Sequence, residues 1–113
     1  MDCLFCNIAQ GKIPAQVVYD DKDIIAFRDI APKAPTHVLI IPKTHIASLN
    51  DIEVQHADLL GRLIITARQL AMDLNCSQTG YRLVFNTNEH GGQTVHHIHL
   101  HLLGGRQLAW PPG

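Results

Sequence analysis

Residues 97–103 read His97-Ile98-His99-Leu100-His101-Leu102-Leu103. Polar and apolar side chains alternate there without a break, the period of a half-buried β-strand. Side chains two apart on a strand share a face, roughly 6.5–7 Å from one to the next. Three imidazoles are therefore expected in a row on one side. Ile98, Leu100 and Leu102 should enter a core on the other. Aligned imidazoles can bind a metal, grip an anion, or give one substrate both a nucleophile and an acid.

The 113 residues suit a single domain, long enough to bury its apolar surface without disulfides. A net charge of −1 leaves no basic footprint for nucleic acid. No apolar run approaches the ~20 residues of a membrane-spanning helix, so no membrane partner is expected. Met1 to Cys6 has neither the basic region nor the apolar run of a signal peptide. Three cysteines are too few, and odd in number, for a disulfide framework. The expected location is a reducing, cytoplasmic compartment.

Working outward from the motif, Val95 to Leu103 should form the last strand. Before it, Thr87 to Thr94 is a polar, glycine-containing loop, and Tyr81 to Asn86 is a strand. From about Asp51 to Leu74 the apolar period becomes helical, with Leu59, Leu63, Ala67, Leu70 and Leu74 forming one stripe. Asn50 or Asp51 is the expected N-cap. Thr36 to Ile41 is β-branched and apolar, a buried central strand that Pro42 should end. Val17-Val18-Tyr19 and Ile24 to Asp29 read as a hairpin around Asp20 to Asp23, and Asp2 to Gln10 as a short helix stopped by Gly11. The class is α+β: about five antiparallel strands, one long helix and one short one.

The loop before the motif carries Gly91-Gly92-Gln93-Thr94. Paired glycines let the backbone approach a ligand or take positive φ. Successive N–H groups in such a turn make an anion-binding concavity. Donors beside a row of imidazoles suit a phosphate better than a bare metal. A neutral imidazole can attack phosphorus, splitting one hard displacement into two easier ones. An amine leaving group needs a proton, which a second histidine on the same face can supply.

The motif at 97–103 resembles the signature of the histidine triad (HIT) superfamily. Ala26-Phe27-Arg28-Asp29-Ile30-Ala31-Pro32, Ala34-Pro35-Thr36-His37, Ile41-Pro42-Lys43, Gly80-Tyr81-Arg82, Gly91-Gly92-Gln93 and Leu103-Gly104-Gly105-Arg106 extend the resemblance over the whole chain. They are similar to the histidine triad nucleotide-binding branch, the purine nucleoside phosphoramidases. That resemblance implies a HIT-like fold over residues 1–113. It implies a homodimer whose sheets join edge to edge, with the tail from about 106 to 113 reaching the partner. His99 would be the nucleophile, His101 would contact the phosphate and aid the leaving group, and His97 would orient His99. Asn86, Gly92, Gln93 and Thr94 would hold the phosphate and ribose, and Asp29 would bind the ribose hydroxyls. Leu4, Phe5, Ile8, Phe27 and Ile30 would wall the purine pocket. Thr94 stands where many relatives have serine, and His96 where they often have tyrosine.

Cys3-Leu4-Phe5-Cys6 has zinc-ligand spacing but alone is half a site. The resemblance extends to bacterial HIT proteins that bind zinc, and by it His45 and His97 complete a structural Cys₂His₂ set. No cofactor is expected in the chemistry itself. The alternative to zinc is two buried thiols. His37, His56 and His90 are expected as solvent-facing or satisfied structural histidines, and Asp29 as a turn residue if it binds nothing. Competing functions are a dinucleoside polyphosphate hydrolase of the same superfamily, a nucleotide-binding scaffold with incidental hydrolysis, and a zinc-handling protein. A nucleotidyltransferase is disfavoured because that branch has glutamine where His101 stands.

Overall fold

In the computed structural model, which describes residues 3–113, a short helix α1 (Leu4–Ala9) precedes the hairpin β1 (Val17–Asp20) and β2 (Ile24–Arg28). Strand β3 (Thr36–Pro42) is followed by two 3-10 turns and the long helix α2 (Ala57–Asp73). Strands β4 (Tyr81–Phe85) and β5 (Leu100–Gly104) complete the sheet. The strand order is β1-β2-β3-β5-β4, with every pair antiparallel. The expected α+β class with five antiparallel strands, one long helix and one short helix is what forms.

Each face of the sheet has its own apolar layer. Ile24, Ala26, Val38, Ile40, Leu100 and Leu102 meet Leu63, Ala67, Leu70 and Ala71 of α2 on one face. Ile25, Phe27, Leu39 and Ile41 meet Cys3 and Phe5 at α1 on the other. Because β2 and β3 are covered on both sides, they read as continuous apolar runs rather than alternating ones. Register places Phe27 opposite Leu39 and Leu39 opposite His101. Directly opposed residues share a face, so His101 lies on the α1 side.

Three local expectations are corrected, and Pro42 ends β3 as expected. Strand β5 begins at Leu100, not Val95. The Ile98 N–H donates to the Ile46 carbonyl at 2.7 Å instead of to a neighbouring strand, so His97 and His99 sit in the bend that feeds the strand. Helix α2 begins at Ala57, not near Asp51, and neither Asn50 nor Asp51 caps it. Ser48 caps a first 3-10 turn, and Glu53 with His56 forms a reciprocal capping box on a second. Ile52 between them is extended, which breaks the helix that the apolar period suggested. Pro42 closes β3 from inside the strand, opposite Ile24, and its free carbonyl becomes important below. Cys3 is the N-cap of α1, its Sγ accepting from the Cys6 N–H at 3.3 Å. The proposed start at Asp2 lies outside the described residues.

Among the described residues, no helix is long and apolar enough to cross a membrane.

Candidate active site

A cavity of about 270 Å³ opens on the α1 face of the sheet. Phe5 and Phe27 form its floor, meeting edge to face with ring centroids 5.4 Å apart. Leu4 and Ile8 of α1 form one wall, and Asp29, Thr94, His99 and His101 stand at the polar end. Ile30 is among the lining residues, as expected, and its side chain is fully exposed. Ile13, Pro14, Ala15, Leu39 and Val95 add apolar surface that the sequence reading did not single out. An apolar slot with a few convergent polar groups at one end suits a flat heterocycle joined to an anion.

The two histidines at the polar end are held in opposite tautomers. His99 Nδ1 lies 2.7 Å from the main-chain carbonyl of His97, which can only accept. Its Nδ1 therefore carries the proton, and Nε2 keeps a free lone pair. His37 decides the state of His101. The Lys33 N–H donates to His37 Nδ1 at 3.0 Å, leaving the His37 proton on Nε2. That proton is donated to His101 Nδ1 at 2.9 Å, so His101 carries its own proton on Nε2. One imidazole presents a bare ring nitrogen and its neighbour an N–H, with ring centroids 4.9 Å apart.

Burial pushes the pKa of His99 and His37 down, only partly opposed by the Asp29 carboxylate. His101 is pushed down to about 4 by burial, then by the neighbouring His99 and His37, against a smaller pull from Asp29. The imidazoles of the free site are thus uncharged at neutral pH, with the Asp29 carboxylate beside them. Asp29 caps the next turn, its Oδ1 accepting from the Ala31 N–H at 2.8 Å, while its Oδ2 lies 3.5 Å from His37 Nε2. With His37 neutral, that approach is a weak polar contact and not an ion pair.

His97 departs from the expected row. Its ring is fully buried and turns away toward the cysteines. Cys3 Sγ, Cys6 Sγ, His45 Nδ1 and His97 Nδ1 all lie within 4.8 Å of one another. His97 Nδ1 is 3.3 Å from Cys3 Sγ, 3.5 Å from Cys6 Sγ and 3.2 Å from His45 Nδ1. Zinc bonds of ~2.3 Å to sulfur and ~2.0–2.1 Å to nitrogen at tetrahedral angles put ligands ~3.3–3.8 Å apart, so the four donors fit. The tautomer fits too. His97 Nε2 donates its proton to the Pro42 carbonyl at 2.7 Å, which frees Nδ1 for a metal and fixes the ring. The grouping of Asp29, His37 and His101 fails the same test. Ligation through His37 Nε2 would move its proton to Nδ1, against the Lys33 N–H. That grouping is a hydrogen-bond relay.

A shallow polar depression between Thr79, Arg82 and Arg106 offers no comparable chemistry. Arg82 donates to the Ala109 carbonyl at 2.9 Å and Arg106 to the Lys33 carbonyl at 2.9 Å. Arg106 is committed through three nitrogens to the Lys33 and Gln107 carbonyls, and Arg82 is tied to main chain by one bond.

The sequence signature of the HIT domain matches residues 10–108. The chain belongs to the HIT family. It is 50% identical over 107 residues to the purine nucleoside phosphoramidase of Escherichia coli K12, covering 95% of this chain and 90% of that protein. It is 51% identical over 112 residues to an uncharacterized HIT-like protein of Synechococcus elongatus, covering 99% and 97%. The crystal structure of a HIT family hydrolase from Legionella pneumophila superposes with a TM-score of 0.98 at 62% identity, over 99% of this chain and 100% of that one. A histidine triad protein from Clostridium difficile gives 0.94 at 41% identity, over 96% and 95%.

Within this HIT fold the expected site residues divide. Leu4, Phe5, Ile8, Phe27, Asp29, Ile30, Thr94, His99 and His101 border one cavity. Asn86, Gly92 and Gln93 do not border it; they build the loop beside it. Asn86 Nδ2 donates to the Gly91 carbonyl at 2.7 Å. A side chain on Gly91 would collide with the Thr87 backbone, and Gly92 sits at φ +78°. Gln93 is buried, with every polar atom committed. It accepts from the Asn88 N–H at 2.9 Å and donates to the Ala47 and Val95 carbonyls at 2.7 and 3.1 Å. His97 orients His99 through its main-chain carbonyl and not its ring. His37 is the residue the sequence reading undervalued. It is a satisfied structural histidine, as expected, but what it satisfies is His101. Its place opposite Leu103 in β3 was invisible without the strand pairing.

Proposed function

We propose that this HIT protein hydrolyses the P–N bond of purine nucleoside 5′-phosphoramidates in two displacements. The observation that carries the proposal is the pair of opposed tautomers, a bare Nε2 on His99 beside an Nε2–H on His101, at the polar end of an apolar slot. The purine enters between Phe27, Leu4 and Ile8, and Asp29 accepts from the ribose hydroxyls. His99 Nε2 attacks the α-phosphorus as the P–N bond breaks, and the His97 carbonyl steadies the positive charge that develops on the ring. With the anionic substrate bound, the His101–His37 pair takes up a proton, and His101 passes its Nε2 proton to the departing nitrogen and returns to the neutral state. Water then attacks the phosphorus, freeing His99 and returning a proton to His101. The products are a nucleoside monophosphate and an amine. The 50% identity to a phosphoramidase supports the leaving-group choice.

Further proposals accompany this reading. A zinc ion in the set Cys3, Cys6, His45 and His97 would supply a structural cross-link and no reactive position. Thiolate ligation of this kind, with all three cysteines unpaired, suits a reducing cytoplasm. A homodimer would cover the exposed α2 residues Ile64, Ile65 and Met72 and extend the sheet from the outer edge of β4. Exposed Trp110 in the tail would meet the partner.

The test is a paired assay on adenosine 5′-phosphoramidate and a diadenosine polyphosphate, with wild type, His99→Ala and His99→Gly. The expected result is preferential amine release by wild type, none by either variant, and AMP binding retained in His99→Gly. Full turnover by His99→Ala would remove the nucleophile assignment, and preference for the dinucleotide would redirect the leaving-group assignment.

A further inference from the structure

Helix α1 is too small to hold its own position. It has six residues, of which only Phe5 is fully buried. An isolated helix in water needs roughly twice that length or more. Burying Phe5, with Ile8 and Ala9 only partly covered, offsets the backbone ordering of roughly two or three residues, not six. Yet this helix supplies Leu4, Phe5 and Ile8 to the cavity. Something else must dock it.

The docking is concentrated at its first turn. Cys3 caps the helix and Cys6 lies one turn on, and both sulfurs converge on His97 Nδ1. Cys6 Sγ also lies 3.4 Å from His45 Nδ1. These four groups come from three separate stretches: α1, the segment after β3, and the bend before β5. From the same bend, the His97 carbonyl accepts the proton that sets the tautomer of His99. Phe5 closes the circuit, its ring edge-on to His97 at 6.0 Å and to His99 at 5.0 Å.

We infer that a divalent metal in the Cys3–Cys6–His45–His97 set is the clamp that docks α1 as a pocket wall, so that metal occupancy sets nucleotide affinity. Occupied, the set pins both thiols to His97 and His45, and Leu4, Phe5 and Ile8 line the slot. Emptied, α1 keeps only the packing of Phe5 and of the partly buried Ile8 and Ala9 and frays, and the slot loses that wall. Zinc thereby acts on binding at a distance from the α-phosphate, through protein packing alone. The affinity consequence rests on the nucleotide reading of the cavity; the clamp does not.

The experiment compares the full chain loaded with one equivalent of Zn²⁺ with the same protein stripped by chelation under reducing conditions. Amide exchange is followed along α1 and in β2 and β3, and AMP binding by calorimetry. Loading is expected to slow exchange in α1 by at least about tenfold and tighten AMP binding by at least about tenfold, with sheet amides unchanged. Cys6→Ser in the presence of zinc should behave as the stripped protein. Cys6→His, which keeps a ligand, should restore both readouts. Should Cys6→Ser not fold, the stripped wild type decides. Equal α1 exchange in both states, or failure to take up zinc, overturns the clamp. So does loss of all sheet protection on stripping, because the set would then support the whole fold. AMP binding to neither state would refute the nucleotide reading, while α1 exchange would still decide the clamp.

Discussion

Replacing His37 with leucine should lower kcat while leaving nucleotide affinity nearly unchanged. His37 does not border the cavity, so its effect must pass through His101. The variant removes the donor 2.9 Å from His101 Nδ1 and leaves that buried nitrogen unpaired. An unpaired buried polar group costs about 1–3 kcal/mol, which is roughly 5- to 150-fold in a rate if the transition state bears it all. A fall in kcat of about tenfold to a hundredfold is therefore expected, with the AMP dissociation constant within about twofold of wild type. His37→Gln, whose amide can still donate to His101, should recover much of the loss. A second readout separates positioning from simple damage. In wild type, the neighbouring His37 helps to hold the His101 pKa down to about 4. Removing it takes away both a repulsive neighbour and a hydrogen bond that favours neutral His101, so the His101 pKa should rise in an NMR titration. An unchanged kcat, or an AMP affinity that falls in step with kcat, would refute the relay.

Other outcomes follow from the same geometry. His37, His99 and His101 are all held below the usual imidazole value of 6.5, so the unfolded chain binds more protons than the folded one in that range. Their contribution to stability is present above pH 6.5 and is lost as pH falls toward about 4, which Tm measured against pH should show. Gln93→Leu strands three backbone groups and should cost about 2–5 kcal/mol, lowering Tm by about 8 °C or more on the scale of about 4–8 °C per kcal/mol. Calorimetric melting checks this, and a small change would return Gln93 to the ligand-holding role first expected of it. Ile65→Glu on the exposed face of α2 should convert the proposed dimer to monomer in analytical ultracentrifugation without lowering the monomer's helix content.

Much of the fold was legible because period and burial agree along most of the chain. The α2 stripe from Leu59 to Leu74 packs inward as its spacing demanded, with Leu63, Ala67 and Leu70 buried. The β-branched run at Thr36 became the strand covered on both faces. The errors have two physical sources. Residues 95–99 alternate like a strand, but their bonding goes to residues distant in sequence: Ile98 to Ile46, and His97 to Pro42. Local period cannot register a competing tertiary partner. The 3-10 turns before α2 have a local cause instead: caps at Ser48 and Glu53 outweighed the helical spacing.

The chain's chemistry was written in residue order: imidazoles two apart, thiols three apart, and a glycine pair beside them. Those spacings determined which groups were available and the α+β frame that carries them. Tertiary structure decided what each group does. Two of the imidazoles face the cavity, while the third turns to the thiols. Lys33 and His37 give His101 its proton on Nε2, and the His97 carbonyl keeps the His99 proton on Nδ1. Tautomer state depends on which donors and acceptors surround each ring nitrogen, and those come from strands and bends brought together only by folding.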